Sequence, residues 1–195
     1  MSARNTTTAW GWPARALHWI MALMIFVMLG FGTYMSNFVT DLVQQFQMVQ
    51  QHKSVGFLVF TLAVLRVLWR LLNRKTPELP GTMPGWQLAA SHASHLALYA
   101  LIFAMPITGW LMASASPLND EGAYPTRVPN MVFGLFEMPD PFPKGSEALT
   151  DALHTAHWLG AMALAGILLV HIAAALKHHF VDKDAILRRM TSGRS

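Results

Sequence analysis

The apolar residues of the chain fall into four long blocks separated by polar stretches. The blocks run over about residues 14–36, 49–72, 88–113 and 149–177. Each exceeds the roughly 20 residues that an α-helix needs to cross the hydrocarbon layer of a membrane. A helix also satisfies its own backbone hydrogen bonds, which lipid cannot do. The pattern therefore predicts an all-α integral membrane protein, an antiparallel four-helix bundle in which residues 1–195 form a single domain.

The polar stretches predict two notable connections. Residues 114–145 are rich in Pro, Gly, Asp and Asn, which favours a long external loop. Inside it, the apolar residues 130–136 are expected to lie on the membrane surface or to cap the bundle. Residues 76–84 contain three prolines and predict a short extended connection on the inner side. Since no small-residue cleavage site follows Arg4 and the first block, that block is expected to be a retained helix.

The composition is typical of a membrane protein, and it excludes several kinds of site. Of the 195 residues, 53% are hydrophobic and only 12% are charged, against about 25% charged residues in soluble proteins. The chain has no cysteine. Disulfides, thiolate metal sites, iron–sulfur clusters and covalently attached haem are therefore excluded.

The charges predict the orientation. Four crossings put both termini on one side, and that side holds eleven of the fourteen Lys and Arg residues: Arg4, Arg15, Arg66, Arg70, Arg74, Lys75, Lys177, Lys183, Arg188, Arg189 and Arg194. Seven of the ten acidic residues lie on the other side. The positive-inside rule then predicts cytoplasmic termini. The net charge of +4 reflects this anchoring, so no nucleic-acid partner is expected.

Two of the nine histidines, His157 and His171, lie fourteen residues apart in the fourth block. In an α-helix this interval is roughly 21 Å and nearly four whole turns, so both rings share one face. Ionisable side chains at membrane depth usually mark a functional site. Two imidazoles on one face suit two haems that carry electrons across a membrane. Iron held by imidazole on both faces has no open position, which favours electron transfer.

The depth of the other histidines suggests their partners. His52 begins the second block at the outer level and pairs naturally with His157. The inner level offers three candidates, His18, His95 and His171, for two axial positions, and depth alone leaves this choice open. His95 is either an inner ligand or a contact of a haem propionate or a quinone. The remaining four histidines fall nearer the water: His92, His154, His178 and His179.

Other residues are compatible with haem but also have simpler roles. Arg66 and Arg70, one turn apart, are able to pair with haem propionates, or to extend toward headgroups as interfacial anchors. Glycines in the helices leave room for a flat macrocycle or for a neighbouring helix: Gly30, Gly32, Gly56, Gly109, Gly160 and Gly166.

Several segments together resemble the bacterial cytochrome b561 family of small four-helix membrane cytochromes. The similarity covers nearly the whole chain, in order. It rests on Ala16-Leu17-His18-Trp19, His52-Lys53-Ser54-Val55-Gly56, Arg66-Val67-Leu68-Trp69-Arg70, Ser94-His95-Leu96-Ala97-Leu98-Tyr99, His157 with His171, and the tail Ala175-Leu176-Lys177-His178-His179-Phe180 followed by Asp182-Lys183-Asp184.

The resemblance implies two b-type haems and a place in the bacterial inner membrane. In related membrane cytochromes, histidines of the second and fourth helices hold the outer haem, and those of the first and fourth hold the inner one. At the matching positions this implies iron ligation by His52 with His157 and by His18 with His171. The family also suggests a quinone site near the inner haem, close to His178 or His179.

The leading hypothesis is a quinone-linked oxidoreductase that moves electrons between an outer donor and membrane quinone. Within the family, a plausible reaction oxidises superoxide outside and reduces ubiquinone. Lys53 is the candidate outer-face residue that attracts this anion, although the outer loops carry a net charge of −4 from seven acidic and three basic residues. One alternative is a quinol-oxidising subunit that passes electrons to a separate protein at residues 114–145. Another is a haem-free metal transporter lined by His and by some of the thirteen Met residues.

Overall fold

The computed structural model describes residues 2–81, 83–120 and 128–193 of the chain. Four long helices dominate it: α1 (Trp12–Asn37), α2 (Leu42–Leu72), α3 (Gly85–Ala115) and α4 (Glu147–Phe180), followed by the short α5 (Ile186–Thr191). Each of the four is long and apolar enough to cross a membrane. The predicted all-α four-helix membrane bundle is thereby confirmed. Three of the charges used for the orientation, Glu121, Arg127 and Arg194, lie outside the described residues.

The helices are longer than the apolar blocks that predicted them. The largest difference is at the start of α2, which begins at Leu42 and not near residue 49. Asp41 caps this end, because its Oδ1 accepts the backbone N–H of Gln44 at 2.7 Å. The added residues 42–48 mix four apolar side chains with three glutamines, so they do not continue the uninterrupted apolar block. Hydropathy marks the part of a helix that suits lipid, whereas the cap marks where the helix begins.

The predicted loop 114–145 contains regular structure of its own. A short 3-10 helix (Pro117–Asn119) opens it, and the strands β1 (Met131–Val132) and β2 (Phe136–Glu137) pair as an antiparallel hairpin. The turn of this hairpin places Phe133 (φ 49°) and Gly134 (φ 70°) in the left-handed region. Glycine adopts that conformation without a steric cost, which explains why it stands in the turn.

The hairpin is fastened to α2. Ser54 Oγ accepts the backbone N–H of Phe133 at 2.9 Å, and Lys53 Nζ donates to Asn130 Oδ1 at 3.1 Å. The ring of Phe136 also packs edge-on against Phe57, with centroids 5.6 Å apart. Residues 130–136 therefore cover the part of α2 that directly follows His52.

The chain divides into two compact units, and each long helix contributes to both. Unit 1 comprises the described residues of 1–23, 62–100 and 164–195, and unit 2 those of 24–61 and 101–163. The N-terminal segment, the connection 76–84 and α5 all belong to unit 1. Glu78 N–H donates to Thr7 O at 2.9 Å, and Trp19 Nε1 donates to Met190 O at 3.0 Å. The two ends of the chain thus share one unit.

Candidate functional site

Unit 2 brings together the two histidines that the sequence assigned to one level. His52 on α2 and His157 on α4 face each other with ring centroids 6.3 Å apart and ring planes at 77°. Both side chains are half-buried. Nδ1 of His52 is buried and has no hydrogen-bonding partner among the described residues.

Glycine and an aromatic ring hold these two imidazoles closely. A Cβ atom at Gly32 would lie 3.3 Å from Cε1 of His52, and one at Gly109 would lie 3.3 Å from Cε1 of His157. Both glycines therefore make room for an imidazole. The ring of Phe31 stacks on His52, with centroids 6.2 Å apart and planes at 10°. These neighbours restrict the movement of both imidazole rings.

Thr108 determines where the proton of His157 lies. The hydroxyl group of Thr108 has a single hydrogen, which it donates to the backbone of its own helix, either to Ala104 O at 2.8 Å or to Met105 O at 3.0 Å. Its oxygen lies 3.0 Å from Nδ1 of His157, and it accepts there when the hydroxyl hydrogen is donated within α3. In that arrangement the proton of neutral His157 is on Nδ1, and Nε2 has a free lone pair. This is the tautomer that binds a metal through Nε2.

Unit 1 brings together the three remaining candidates. His18 on α1 and His171 on α4 have centroids 6.3 Å apart and planes at 60°. His95 on α3 approaches the same His171 ring more closely, at 5.4 Å and 75°. We refer to His18, His95 and His171 as the three-histidine cluster.

The ring spacings fit iron held between two imidazoles. A metal–nitrogen bond of roughly 2 Å and the distance from nitrogen to ring centre, about 1.2 Å, separate the centroids of two opposed imidazoles by about 6.4 Å. The His52–His157 and His18–His171 pairs both have 6.3 Å. The His95–His171 spacing of 5.4 Å is too short. Neutral imidazole nitrogen is also the donor that haem iron accepts on both faces, so the residues fit two haems.

Arg66 of α2 lies inside the three-histidine cluster. Its Nη2 is 3.3 Å from Nδ1 of His18, and its Nε donates to Tyr99 Oη at 3.3 Å. The guanidinium carbon is also 5.7 Å from the centre of the Tyr99 ring. Because guanidinium only donates, Nδ1 of His18 must accept this contact, and the imidazole proton is then on Nε2. Binding of iron through Nε2 requires Arg66 to release His18.

Two other charged candidates have different surroundings. Arg70 is exposed, and its guanidinium carbon lies 5.9 Å from the ring centre of Trp10. Its positive charge also acts on His95. Lys53 is half-buried in unit 2, next to His52 in sequence, and its ammonium group contacts Asn130. An ammonium group has three hydrogens to donate, so this bond leaves it able to attract a further anion.

The histidines at the end of α4 are bound to their own neighbours. Nδ1 of His178 lies 2.7 Å from Oδ2 of Asp184 and 3.2 Å from Oδ2 of Asp182. Lys177 Nζ contacts Asp182 at 2.6 Å, and the ring of His179 packs edge-on against Phe180. Asp184 also accepts the backbone N–H of Ile186 at 2.9 Å. This group therefore joins the end of α4 to the start of α5.

Sequence reasoning missed two residues of these sites. Thr108 has no motif of its own, and a threonine within an apolar helix most often bonds the preceding turn, as this one also does. Tyr99 entered only as part of a family segment, and its contact with Arg66 depends on how α2 and α3 are rotated. The one available signal for Thr108 was its position beside Gly109, which contacts the same histidine.

Comparisons with known proteins also indicate a membrane cytochrome. A family model for prokaryotic cytochrome b561 matches residues 9–193. The chain is 36% identical to cytochrome b561 homolog 2 of Escherichia coli (strain K12), over 97% of this chain and 95% of the relative. It is 27% identical to the probable superoxide oxidase CybB of Yersinia pestis, over 89% and 90% of the two chains. It is 24% identical to cytochrome b561 homolog 1 of Escherichia coli (strain K12), over 89% and 92%.

Proposed function

Since the chain belongs to the prokaryotic cytochrome b561 family, we propose that it holds two b-type haems and passes electrons between a donor outside the membrane and a quinone within it. Membership in this family indicates transmembrane electron transfer through b-type haem. The observation that supports two haems is the equal spacing of two imidazole pairs, 6.3 Å in each unit. The ligands in this proposal are His52 with His157 and His18 with His171.

The chain supplies rigid ligands and a closed coordination sphere. When bound, haem supplies one-electron chemistry at iron, and two imidazoles leave no position for oxygen. When Thr108 donates within α3, it holds the proton of His157 on Nδ1. Gly32 and Gly109 allow the imidazoles to pack against helix backbone. These contacts would hold His52 and His157 in place as ligands of a bound haem.

The proposed location is the bacterial inner membrane with cytoplasmic termini. Support comes from the positive-inside distribution of the basic residues. The N-terminal segment and α5 share unit 1, which agrees with termini on one side.

Superoxide is the proposed donor. Support comes from a relative named as a probable superoxide oxidase and from Lys53 beside His52. Two superoxide anions each lose one electron and leave as O2. The quinone takes up these two electrons together with two protons and becomes quinol. An ammonium group near the site of oxidation raises the local concentration of an anionic substrate.

This donor is tested with purified protein in lipid vesicles that contain ubiquinone. With a superoxide-generating enzyme present, we expect protein-dependent formation of ubiquinol, which superoxide dismutase abolishes. Lys53→Gln removes the charge but retains a polar side chain with N–H donors. It is expected to lower the rate constant for superoxide about 3- to 10-fold, and exposed Lys144 provides the control Lys144→Gln.

A failure to form ubiquinol from superoxide, with haem fully reduced by added quinol, would instead favour a quinol-oxidising subunit with a separate protein partner. A pyridine haemochrome assay counts haem per chain. The same assay tests the remaining alternative, a haem-free metal transporter. A colourless protein without a Soret band would support the metal transporter and exclude both electron-transfer functions.

Arg66 is expected to raise the reduction potential of the haem between His18 and His171. A fixed positive charge close to iron favours the ferrous state, which carries one positive charge less. At an effective dielectric constant near 20, a charge about 7 Å away is worth on the order of 50–100 mV. Arg66→Gln should lower that midpoint potential in a potentiometric titration of the α-band.

The control is Arg74→Gln, since Arg74 is exposed and its Nε donates to Leu71 O at the end of α2 and not to the imidazoles. The haem between His52 and His157 serves as the internal reference in the same sample. Equal potentials for Arg66→Gln and the wild-type protein would show that the guanidinium is screened or lies elsewhere once haem is bound.

A further inference from the structure

His95 is the member of the three-histidine cluster that iron ligation does not use. Its ring lies 5.4 Å from that of His171, about 1 Å less than two axial imidazoles require. It is nevertheless in edge-to-face contact with His171, which is a proposed ligand. It therefore stands directly beside the iron site without belonging to it.

The position of His95 along α3 puts it within the hydrocarbon region. The 31 residues of α3 span about 46 Å, some 16 Å more than the hydrocarbon layer of about 30 Å. Centred on that layer, α3 would extend about 8 Å beyond each boundary, and His95, ten residues after Gly85, would lie about 7 Å inside. An imidazole at this depth costs free energy unless it binds something polar.

The described residues satisfy only one side of this imidazole. Ser91 Oγ lies 3.5 Å from Nδ1 of His95, and no described residue hydrogen-bonds Nε2. The residue is exposed, so Nε2 is reachable by a molecule dissolved in the bilayer. Such a molecule must be apolar enough to enter lipid, must carry a hydrogen-bonding oxygen, and must use an electron next to His171.

These requirements describe a quinone headgroup, and we propose that His95 binds a quinone carbonyl through Nε2. This inference rests on the proposed function and deepens it, because it assigns the quinone site to α3. The end of α4 is the site that the family resemblance suggested, and there His178 is already bound to Asp184 and Asp182. A headgroup bound to His95 would lie beside His171, which is a proposed haem ligand.

The test measures quinone binding at equilibrium and not turnover. Haem-loaded protein in lipid nanodiscs is titrated with decylubiquinone, and quenching of tryptophan fluorescence reports binding. Trp19 is a suitable reporter in this cluster, because its ring packs 5.2 Å from that of His18. Binding to the wild-type protein is expected to be saturable.

His95→Leu removes the hydrogen-bond donor and is expected to weaken binding about tenfold, the value of one hydrogen bond of about 1.4 kcal/mol. His95→Gln retains an N–H and is expected to bind within about threefold of the wild-type protein. His92→Leu, one turn earlier on α3 and exposed, is the matched control and should leave binding unchanged. His178→Gln should also leave it unchanged.

Three results would overturn the assignment. If the His95→Leu variant binds decylubiquinone as tightly as the wild-type protein, His95 is not the quinone contact. Loss of binding in His178→Gln, with His95→Leu normal, moves the site to the end of α4. Loss of the His18–His171 haem in both His95→Leu and His95→Gln would make His95 a ligand. Wild-type protein without haem would refute the proposed function itself, which the haem assay shows separately from quinone binding.

Discussion

Replacing His157 by alanine is expected to remove the haem between His52 and His157 and to retain the other, so that the haem content falls by about half. The reason is geometric. The only imidazole that faces His52 across a 6.3 Å spacing among the described residues is that of His157. With it removed, iron would have a single ligand at this site, and b-type haem has no covalent attachment to the chain.

The pyridine haemochrome assay gives the remaining haem, and a low-temperature spectrum of the reduced protein separates the two α-bands. His154→Ala is the matched control, because His154 is exposed on the same helix one turn earlier. Added imidazole should restore the lost band to His157→Ala by filling the empty position, which a folding defect would not allow. Full retention of both haems in His157→Ala would refute this pairing.

Replacing Gly32 by leucine is expected to produce a similar loss without touching a ligand. A Cβ at this position already lies 3.3 Å from Cε1 of His52, and the rest of a leucine side chain adds three carbons beyond it. Overpacking of this kind costs roughly 1–3 kcal/mol, which corresponds to about 5- to 150-fold in haem affinity if the imidazole is displaced. Gly109→Leu should act in the same way on His157.

Gly30→Leu is the matched control for Gly32→Leu. Both glycines lie in α1 and in unit 2, but no atom lies within 4 Å of a Cβ at Gly30. Titration of the haem-free proteins with haemin measures the affinity directly. Equal affinity in Gly32→Leu and Gly30→Leu would mean that α1 moves aside and that the close approach is not required.

Much of the fold follows from simple physics of the chain. Lipid requires long apolar helices, so the positions of four helices are visible from hydropathy. Their ends are not, because α2 begins at a cap provided by Asp41 and continues through glutamine residues. The hairpin at Met131–Glu137 was also missed as regular structure. Its strands have two residues each, and contacts with Ser54 and Lys53, far away in sequence, hold it in place.

The sequence shows how deep each histidine lies along its helix, but not which neighbouring helix its side chain faces. Residue number gives depth directly, and depth alone pairs His52 with His157. At the other level, His18 and His95 lie at similar depths. Their ring centroids are 6.3 Å and 5.4 Å from that of His171, and this difference depends on how α1 and α3 are turned toward α4. Thr108 and Tyr99 were hidden for the same reason, since each acts across a helix interface.

The two proposed haem sites differ in the contacts that their histidines make with neighbouring side chains. When Thr108 donates within its own helix, its oxygen accepts from Nδ1 of His157, and Nε2 is then free to bind iron without breaking that contact. At the other site, Arg66 occupies Nδ1 of His18, and this contact must break while the proton moves to the opposite ring nitrogen. On the proposed ligand set, haem binding between His18 and His171 must therefore break the Arg66 contact, a cost that the pair His52 and His157 does not carry.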